Sequence, residues 1–367
     1  GVLLAVSDWL GRPRRSPFPI ITGTSGGAIN ASVLAARAGS FARGVEGLAG
    51  VWRGVAVADV FRCDRRALYG RAVRWLMALV RGGLGRHNPR ALLDYQPLRA
   101  LLERHVNFAR IDLHLGRGLL DAVAITASGY GSGRGVTFYQ AAGHPPPWQR
   151  ERMLSRPVEL TLDHVMASVA IPLLFEAVRI DDDWYGDGAM RDHTPLSAAI
   201  NLGAQRLLVI STRNSEPAPT PQLPPYPQLG KIAGYVLDSL FMDGIGPNLE
   251  RVQRLNELIR LSGAQPPVRF GRALRPIDTC LVSPSVDLRE LAARHTGRFP
   301  GPLRRLLRGI GAFGQTSPLP SYLLFDGTFC RALMDLGYAD AERQKDEIMA
   351  VLTASGAHSA GTRGPNS

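Results

Sequence analysis

Lysine is nearly missing from this chain: of 43 basic residues only Lys231 and Lys345 are lysine, and the rest are arginine. Against 31 acidic residues this leaves a formal charge of +12, carried almost wholly by guanidinium groups. So uniform a choice fits coding composition as readily as selection for binding, yet a basic surface still attracts anionic lipid or nucleic acid. Base-reading patterns are missing as well. There is no helix-turn-helix, zinc-finger or RNP signature, so an anionic membrane surface is preferred to nucleic acid as the partner. Cysteine is scarce: Cys63, Cys280 and Cys330 are odd in number and far apart, which excludes a disulfide framework and a paired metal-ligand spacing. They are expected to be small buried hydrophobes in a reducing compartment. No apolar run approaches the ~18 residues that a membrane-spanning helix needs. The first apolar stretch, Val2 to Val6, is too short for a secretory signal. The expected location is cytoplasmic, peripheral to a membrane at most.

What is present is globular: 367 residues, 45% hydrophobic and 20% charged, enough for one large α/β unit with appendages. Phe18 to Thr22 is β-friendly, Gly23 to Gly27 is a turn, and Ala28 to Ala36 is helix-compatible. Residues 45–110 read as largely helical, with Pro89 and Pro97 marking breaks. Leu119 to Thr126 is a second strand, with Val136 to Tyr139 as its hairpin partner. A helix at Leu162–Ala170, a strand at Phe175–Ile180 and a turn at Asp181-Asp182-Asp183 follow. Leu207 to Ser211 has the continuous apolar character of a strand buried on both faces of a parallel sheet. Strands alternating with helices predict a sheet covered on both sides. Six prolines between Pro217 and Pro227 mark a stiff connector. The predicted division is a core over 1–212, a connector over 213–230, a helical extension with one strand (Asp278–Ser283) over 231–352, and a disordered tail over 353–367.

Two motifs could carry chemistry. Gly23-Thr24-Ser25-Gly26-Gly27 fits G-x-S-x-G between a strand and a helix. A serine at such a turn sits in strained backbone, and neighbouring residues without Cβ atoms let strand and helix approach. Its hydroxyl then stands at a helix N-terminus, where the dipole favours a developing alkoxide, and the Gly26 amide is a natural oxyanion donor. The same residues also suit an ordinary glycine-rich turn or a phosphate cradle, although no lysine follows to make a Walker loop. The second motif is Tyr185-Gly186-Asp187-Gly188-Ala189, preceded by Ala167-Ser168-Val169-Ala170-Ile171-Pro172. It is expected to put Asp187 at an exposed turn at a strand end, with a simple tight turn as the plainer meaning.

In this order and context the two motifs resemble the patatin-like phospholipase family, of bacterial type. Ser25 matches that family's nucleophile and Asp187 the aspartate of its D-G-[AG] motif, completed here by Gly188 and Ala189. Trp52 to Phe61 is similar to the family's helix after the nucleophile. The resemblance covers residues 1–212 well and the extension more loosely. It implies a three-layer α/β/α sandwich with a mostly parallel sheet. It also implies a Ser–Asp dyad hydrolysing phospholipid or other acyl-ester lipids, with no metal and no organic cofactor; for Asp187 to serve as the base, its burial in the site is expected to push its pKa upward. One feature departs from the family: the oxyanion segment G-G-G-x-[RK]-G is not among these residues, and Gly1 to Val6 looks like the helix that follows it. The expectation is a sequence truncated at its N-terminus. The rival function is a catalytically impaired, membrane-associated protein with a binding or scaffolding role.

The rival mechanism is a Ser-His-Asp triad through His193 or His164, neither placed like the late histidine of α/β-hydrolases. Two arginine-flanked apolar stretches, Arg71–Arg81 and Leu303–Arg308, could lie in a lipid interface or simply pack on the core behind a solvated basic rim. Oligomeric state is not legible.

Overall fold

A computed structural model describes residues 1–81, 85, 88–192, 194–214, 226, 229–240, 244–262, 268–269, 272–313 and 318–353. The predicted tail and nearly all of the proline-rich connector lie outside these residues. In chain order the first elements are α1 (Val2–Trp9), β1 (Ile20–Thr24), α2 (Gly26–Ala36), α3 (Phe41–Gly54) and α4 (Val57–Val60). Then come α5 (Arg65–Val80), α6 (Gln96–His105), α7 (Ala109–Gly116), β2 (Ala122–Gly129), β3 (Gly135–Ala141) and β4 (Met153–Pro157). After α8 (Leu162–Ser168) follow β5 (Val178–Ile180), β6 (Asp183–Asp187), α9 (Leu196–Asn201) and β7 (Arg206–Ile210). The C-terminal elements are α10 (Leu229–Leu240), α11 (Ile245–Leu261), β8 (Val268–Arg269), β9 (Arg272–Ala273) and β10 (Asp278–Val282). The chain closes with α12 (Leu288–His295), α13 (Gly301–Gly309), α14 (Leu319–Leu323), α15 (Gly327–Arg343) and α16 (Lys345–Thr353).

The architecture is a central sheet flanked by helices, an α/β/α sandwich, but the sheet is mixed and not mostly parallel. Its path is β4-β3-β2-β6-β5, with β1 also paired to β2. β1–β2 and β3–β4 are parallel, whereas β2–β3, β2–β6 and β5–β6 are antiparallel. The reason is local: the short turns after β2 (residues 130–134, with Gly131 and Gly133) and after β5 (Asp181-Asp182) allow only hairpins, and a parallel step needs a crossover of about a dozen residues. The predicted 175–180 strand is shorter for a related reason, since Pro172 to Ala177 pass through turns before pairing begins at Val178. Pro97 opens α6 instead of interrupting it, sitting in the first turn where its missing N–H has no helical partner to lose.

β7 also departs from expectation. Among the described residues it pairs only with β10, in a separate two-stranded parallel sheet, and Arg206 and Ile210 are exposed. Its other edge borders a cleft of about 1350 Å³ whose opposite wall is β1. One hydrophobic cluster joins Ile29, Val123 and Phe138 of the N-terminal half to Leu237, Leu303, Leu323 and Phe329 of the C-terminal half. A second cluster packs α1 and α3 against β10, α15 and α16 through Val6, Val45, Val282, Ala341 and Ile348. The three cysteines are buried and free.

Candidate active site

Sheet register brings the two motifs together. β1 and β6 share one edge of β2, end to end. Thr24, the last residue of β1, lies opposite Thr126, while Asp187, the last residue of β6, lies opposite the next position, Ala127. The two strands run toward each other along that edge, so the residue after Thr24 must face Asp187. Ser25 Oγ donates to Asp187 Oδ2 at 2.6 Å across 162 positions of sequence.

The turn that presents Ser25 is strained. Its φ is +55° with ψ at −126°, in the left-handed half of the map that residues with a side chain rarely occupy. Two contacts hold it there. The Ser25 N–H donates to Ser168 Oγ at 2.9 Å, and Ser168 Oγ donates to the Thr126 carbonyl at 2.6 Å. Glycine is required at Gly23, where a Cβ would lie 2.1 Å from the Gly27 carbonyl oxygen. At Gly26 and Gly27 a Cβ would meet nothing within 4 Å. The close approach expected of the whole glycine run therefore constrains one position of the three. Gly26 and Gly27 open α2, and among the described residues their N–H groups have no acceptor. They are donors at the positive end of the helix dipole.

Asp187 is not at an exposed turn. It has no solvent exposure at all, because β2 and α8 cover it and its own N–H donates to the Ala170 carbonyl at 2.9 Å. Burial pushes its carboxyl up to about 7, against the opposing bonds from the Ser25 hydroxyl and the Ala189 N–H (2.9 Å, to Oδ1). Gly188 cannot carry a side chain, since a Cβ would sit 2.1 Å from the Thr126 carbonyl oxygen. Ser128 Oγ also donates to the Gly188 carbonyl at 3.2 Å, tying the Asp-Gly turn to β2. Such a site can deprotonate a hydroxyl near neutral pH and offer amides to the oxyanion that results.

Three residues that sequence reasoning did not single out shape the same place. Ser168 was legible only as part of the segment before Asp187. Asp192 is buried, accepts from Thr24 Oγ1 at 2.9 Å, and is pushed up to about 6 by burial. Tyr322 comes from α14 and lines the cleft with Arg213, Asp238 and Arg289. Its hydroxyl donates to Asp238 Oδ1 at 3.1 Å, which Arg213 also approaches at 3.0 Å. Burial and the Asp238 charge raise the Tyr322 phenol, and Asp187 acts on it in the same direction.

Of the triad candidates, His193 lies outside the described residues. His164 is buried in the capping turn of α8, its Nδ1 accepting from the Thr161 N–H at 3.0 Å and its ring against Phe138. No histidine among the described residues lines the cleft. Asp181 and Asp182 face solvent, but Asp183 accepts from the N–H groups of Gly131 (2.7 Å) and Ser132 (3.1 Å), so it ties two loops together. Among the described residues no group of three or more metal-ligating side chains exists. No described helix is long and apolar enough to cross a membrane.

A family model described as patatin-like phospholipase matches residues 1–200. No curated protein matches the chain.

Proposed function

The chain belongs to the patatin-like phospholipase family, and we propose that it is a serine lipid acyl hydrolase working through a Ser25–Asp187 dyad. The observation that carries this reading is the 2.6 Å hydrogen bond between Ser25 Oγ and a wholly buried carboxylate raised to about 7. An ordinary aspartate near ~3.9 is too weak a base for an alcohol. Burial gives Asp187 the basicity the step needs.

In the proposed sequence Asp187 takes the Ser25 proton while Ser25 Oγ bonds to the ester carbonyl carbon. The carbonyl oxygen becomes an oxyanion facing the Gly26 amide and the start of α2. The intermediate collapses by breaking the carbon–oxygen bond to the alcohol, which leaves with the proton held on Asp187. Water then gives up a proton to Asp187 and attacks the acyl carbon; the bond from that carbon to Ser25 Oγ breaks, Asp187 returns the proton to Ser25 Oγ, and the acid is released. The alcohol side of the substrate faces the wide cleft, where Arg213, Asp238, Arg289 and Tyr322 form a polar wall.

A lipid surface is the proposed working environment. On α5, Tyr69, Val73, Leu76 and Val80 form an exposed apolar stripe, with Arg66, Arg74 and Arg81 exposed beside it. This is the arrangement of an interfacial helix. In α13, by contrast, Leu303 and Leu307 are buried, so that helix packs on the core behind an arginine rim. Co-sedimentation with anionic vesicles, but not with neutral ones, is expected, and Leu76→Asp should weaken it.

The decisive test is hydrolysis of a soluble acyl ester by purified protein. Ser25→Ala and Asp187→Asn should each remove more than about 10³-fold of the activity, while His164→Ala retains most of it. Ester turnover indifferent to Ser25→Ala would leave the binding or scaffolding reading in its place.

A further inference from the structure

The formal charge of +12 comes from two stretches of chain. Residues 65–93 hold seven arginines and residues 291–325 hold five, and neither stretch contains a lysine, an aspartate or a glutamate. They carry the whole excess, since the other residues balance at 31 lysines and arginines against 31 acids. Coding composition explains why a cation is arginine, but not why acids are missing from two segments that meet in the fold. α13 packs against α5, and Leu68 of α5 shares one buried cluster with Leu303 and Leu307 of α13. On α13 the exposed Arg304, Arg305 and Arg308 lie on one arc opposite those two leucines. On α5 the exposed Arg65, Arg66 and Arg74 stand around the apolar stripe of Tyr69, Val73, Leu76 and Val80, and Arg81 follows its end. Arg71 turns to Asp94 Oδ2 at 3.1 Å, a carboxylate that Arg62 also approaches. Arg65, Arg66, Arg74, Arg81, Arg305 and Arg308 have no acidic partner among the described residues.

Guanidinium groups gathered on one face repel each other, and an external array of anions relieves that repulsion. Phosphates alone would leave the apolar stripe of α5 in water. A bilayer supplies both needs: anionic headgroups for the arginines and hydrocarbon for Tyr69, Leu76 and Val80. We infer that α13 joins α5 in one docking face for an anionic bilayer, with Arg304, Arg305 and Arg308 holding lipid phosphates beside the inserted stripe. This rests on the lipid-surface reading above and adds a second helix to it, one that lies beyond the residues 1–200 matched by the family model. Because the remainder of the chain is neutral, the same charge turns this face toward the membrane as the protein approaches.

The test is vesicle co-sedimentation in a Ser25→Ala parent, so that turnover cannot alter the lipid. Vesicles are phosphatidylcholine alone or with about a quarter phosphatidylglycerol, at about 0.1 M salt. The parent should pellet with the anionic vesicles only, and about 0.5 M salt should release it. Each arginine at such a surface is worth about fivefold in partitioning. The triple Arg304→Gln, Arg305→Gln, Arg308→Gln should therefore weaken anionic binding about 100-fold. A control triple, Arg117→Gln, Arg152→Gln, Arg251→Gln, removes the same charge from exposed arginines on other elements. It should stay within about threefold of the parent, because screening limits each charge to a reach of about 10 Å. All six side chains are exposed, so both triples should keep the parent's urea midpoint. Equal weakening by the two triples, or an α13 triple that binds as the parent does, overturns the composite face and leaves α5 alone. An α13 triple that loses duplex RNA but keeps vesicles makes the face a nucleic-acid surface, which also overturns it. A parent that pellets with neither vesicle removes the lipid-surface reading and the composite face together, while hydrolysis of a soluble ester by Ser25 stands or falls separately.

Discussion

Consider replacing Asp187 with asparagine and following urea unfolding of both proteins between about pH 4 and pH 8. In the folded protein the carboxyl is wholly buried and raised from 3.8 to about 7. Between those values the folded state keeps a proton that the unfolded chain releases. The stability Asp187 contributes is therefore fully present below the unfolded value and is lost as pH rises through about 7. A shift of about 3 units corresponds to ~4 kcal/mol. Asparagine has the same shape, accepts from the Ala189 N–H through its oxygen and cannot ionise. It loses part of the bond with Ser25, worth ~1 kcal/mol. The variant should therefore match the wild type or fall slightly below it at the acid end, and exceed it by about 2–4 kcal/mol at the alkaline end. Asp192, pushed up to about 6, loses stability with rising pH in both proteins, so its effect cancels in the comparison. A difference that does not change with pH would refute the argument that desolvation sets the basicity of Asp187. The variant should be the more stable protein and the inactive one, which is the stability–activity opposition expected of a strained catalytic site.

Hydrolysis should rise with pH and level off above about 7, because in the proposed dyad Asp187 must be ionised to take the serine proton. A pH–kcat/KM profile already flat from the acid side would contradict this. Gly188→Ala should destabilise by about 3 kcal/mol or more, since its Cβ would meet the Thr126 carbonyl oxygen at 2.1 Å, and chemical denaturation measures it. Ser168→Ala leaves the Ser25 N–H without its partner and should cost about 1–3 kcal/mol. Its kcat should fall more than its KM rises, because the strained Ser25 turn loses its tether.

The helices and strands were largely legible, since each rests on periodicity and turn chemistry within a few residues. Ser25 was legible for the same reason: glycines around a serine between an apolar strand and a small-residue helix allow few other geometries. The surroundings of Asp187 were legible only in part: the dyad reading calls for burial to raise its carboxyl, but not for the elements that bury it. An Asp-Gly pair looks like an exposed turn in any local reading, and its burial comes from α8 and β2, elements distant in sequence. Strand direction was misjudged because alternation of strands with helices was weighed above the two short hairpin turns. Asp192 and Tyr322 carried no local signal, since a lone aspartate or tyrosine acquires its role only from what packs against it.

By itself, the amino-acid sequence determined the two candidate groups and the backbone that presents them: a hydroxyl at a turn only a glycine at position 23 can close, and a carboxylate followed by a residue without a side chain. Only the tertiary structure decided that the two are one site. β1 and β6 meet head to head on successive residues of the same β2 edge, and removal of water there turns a weak carboxylate base into an effective one. Register and desolvation depend on every element packed around that edge, so no local stretch of chain encodes them.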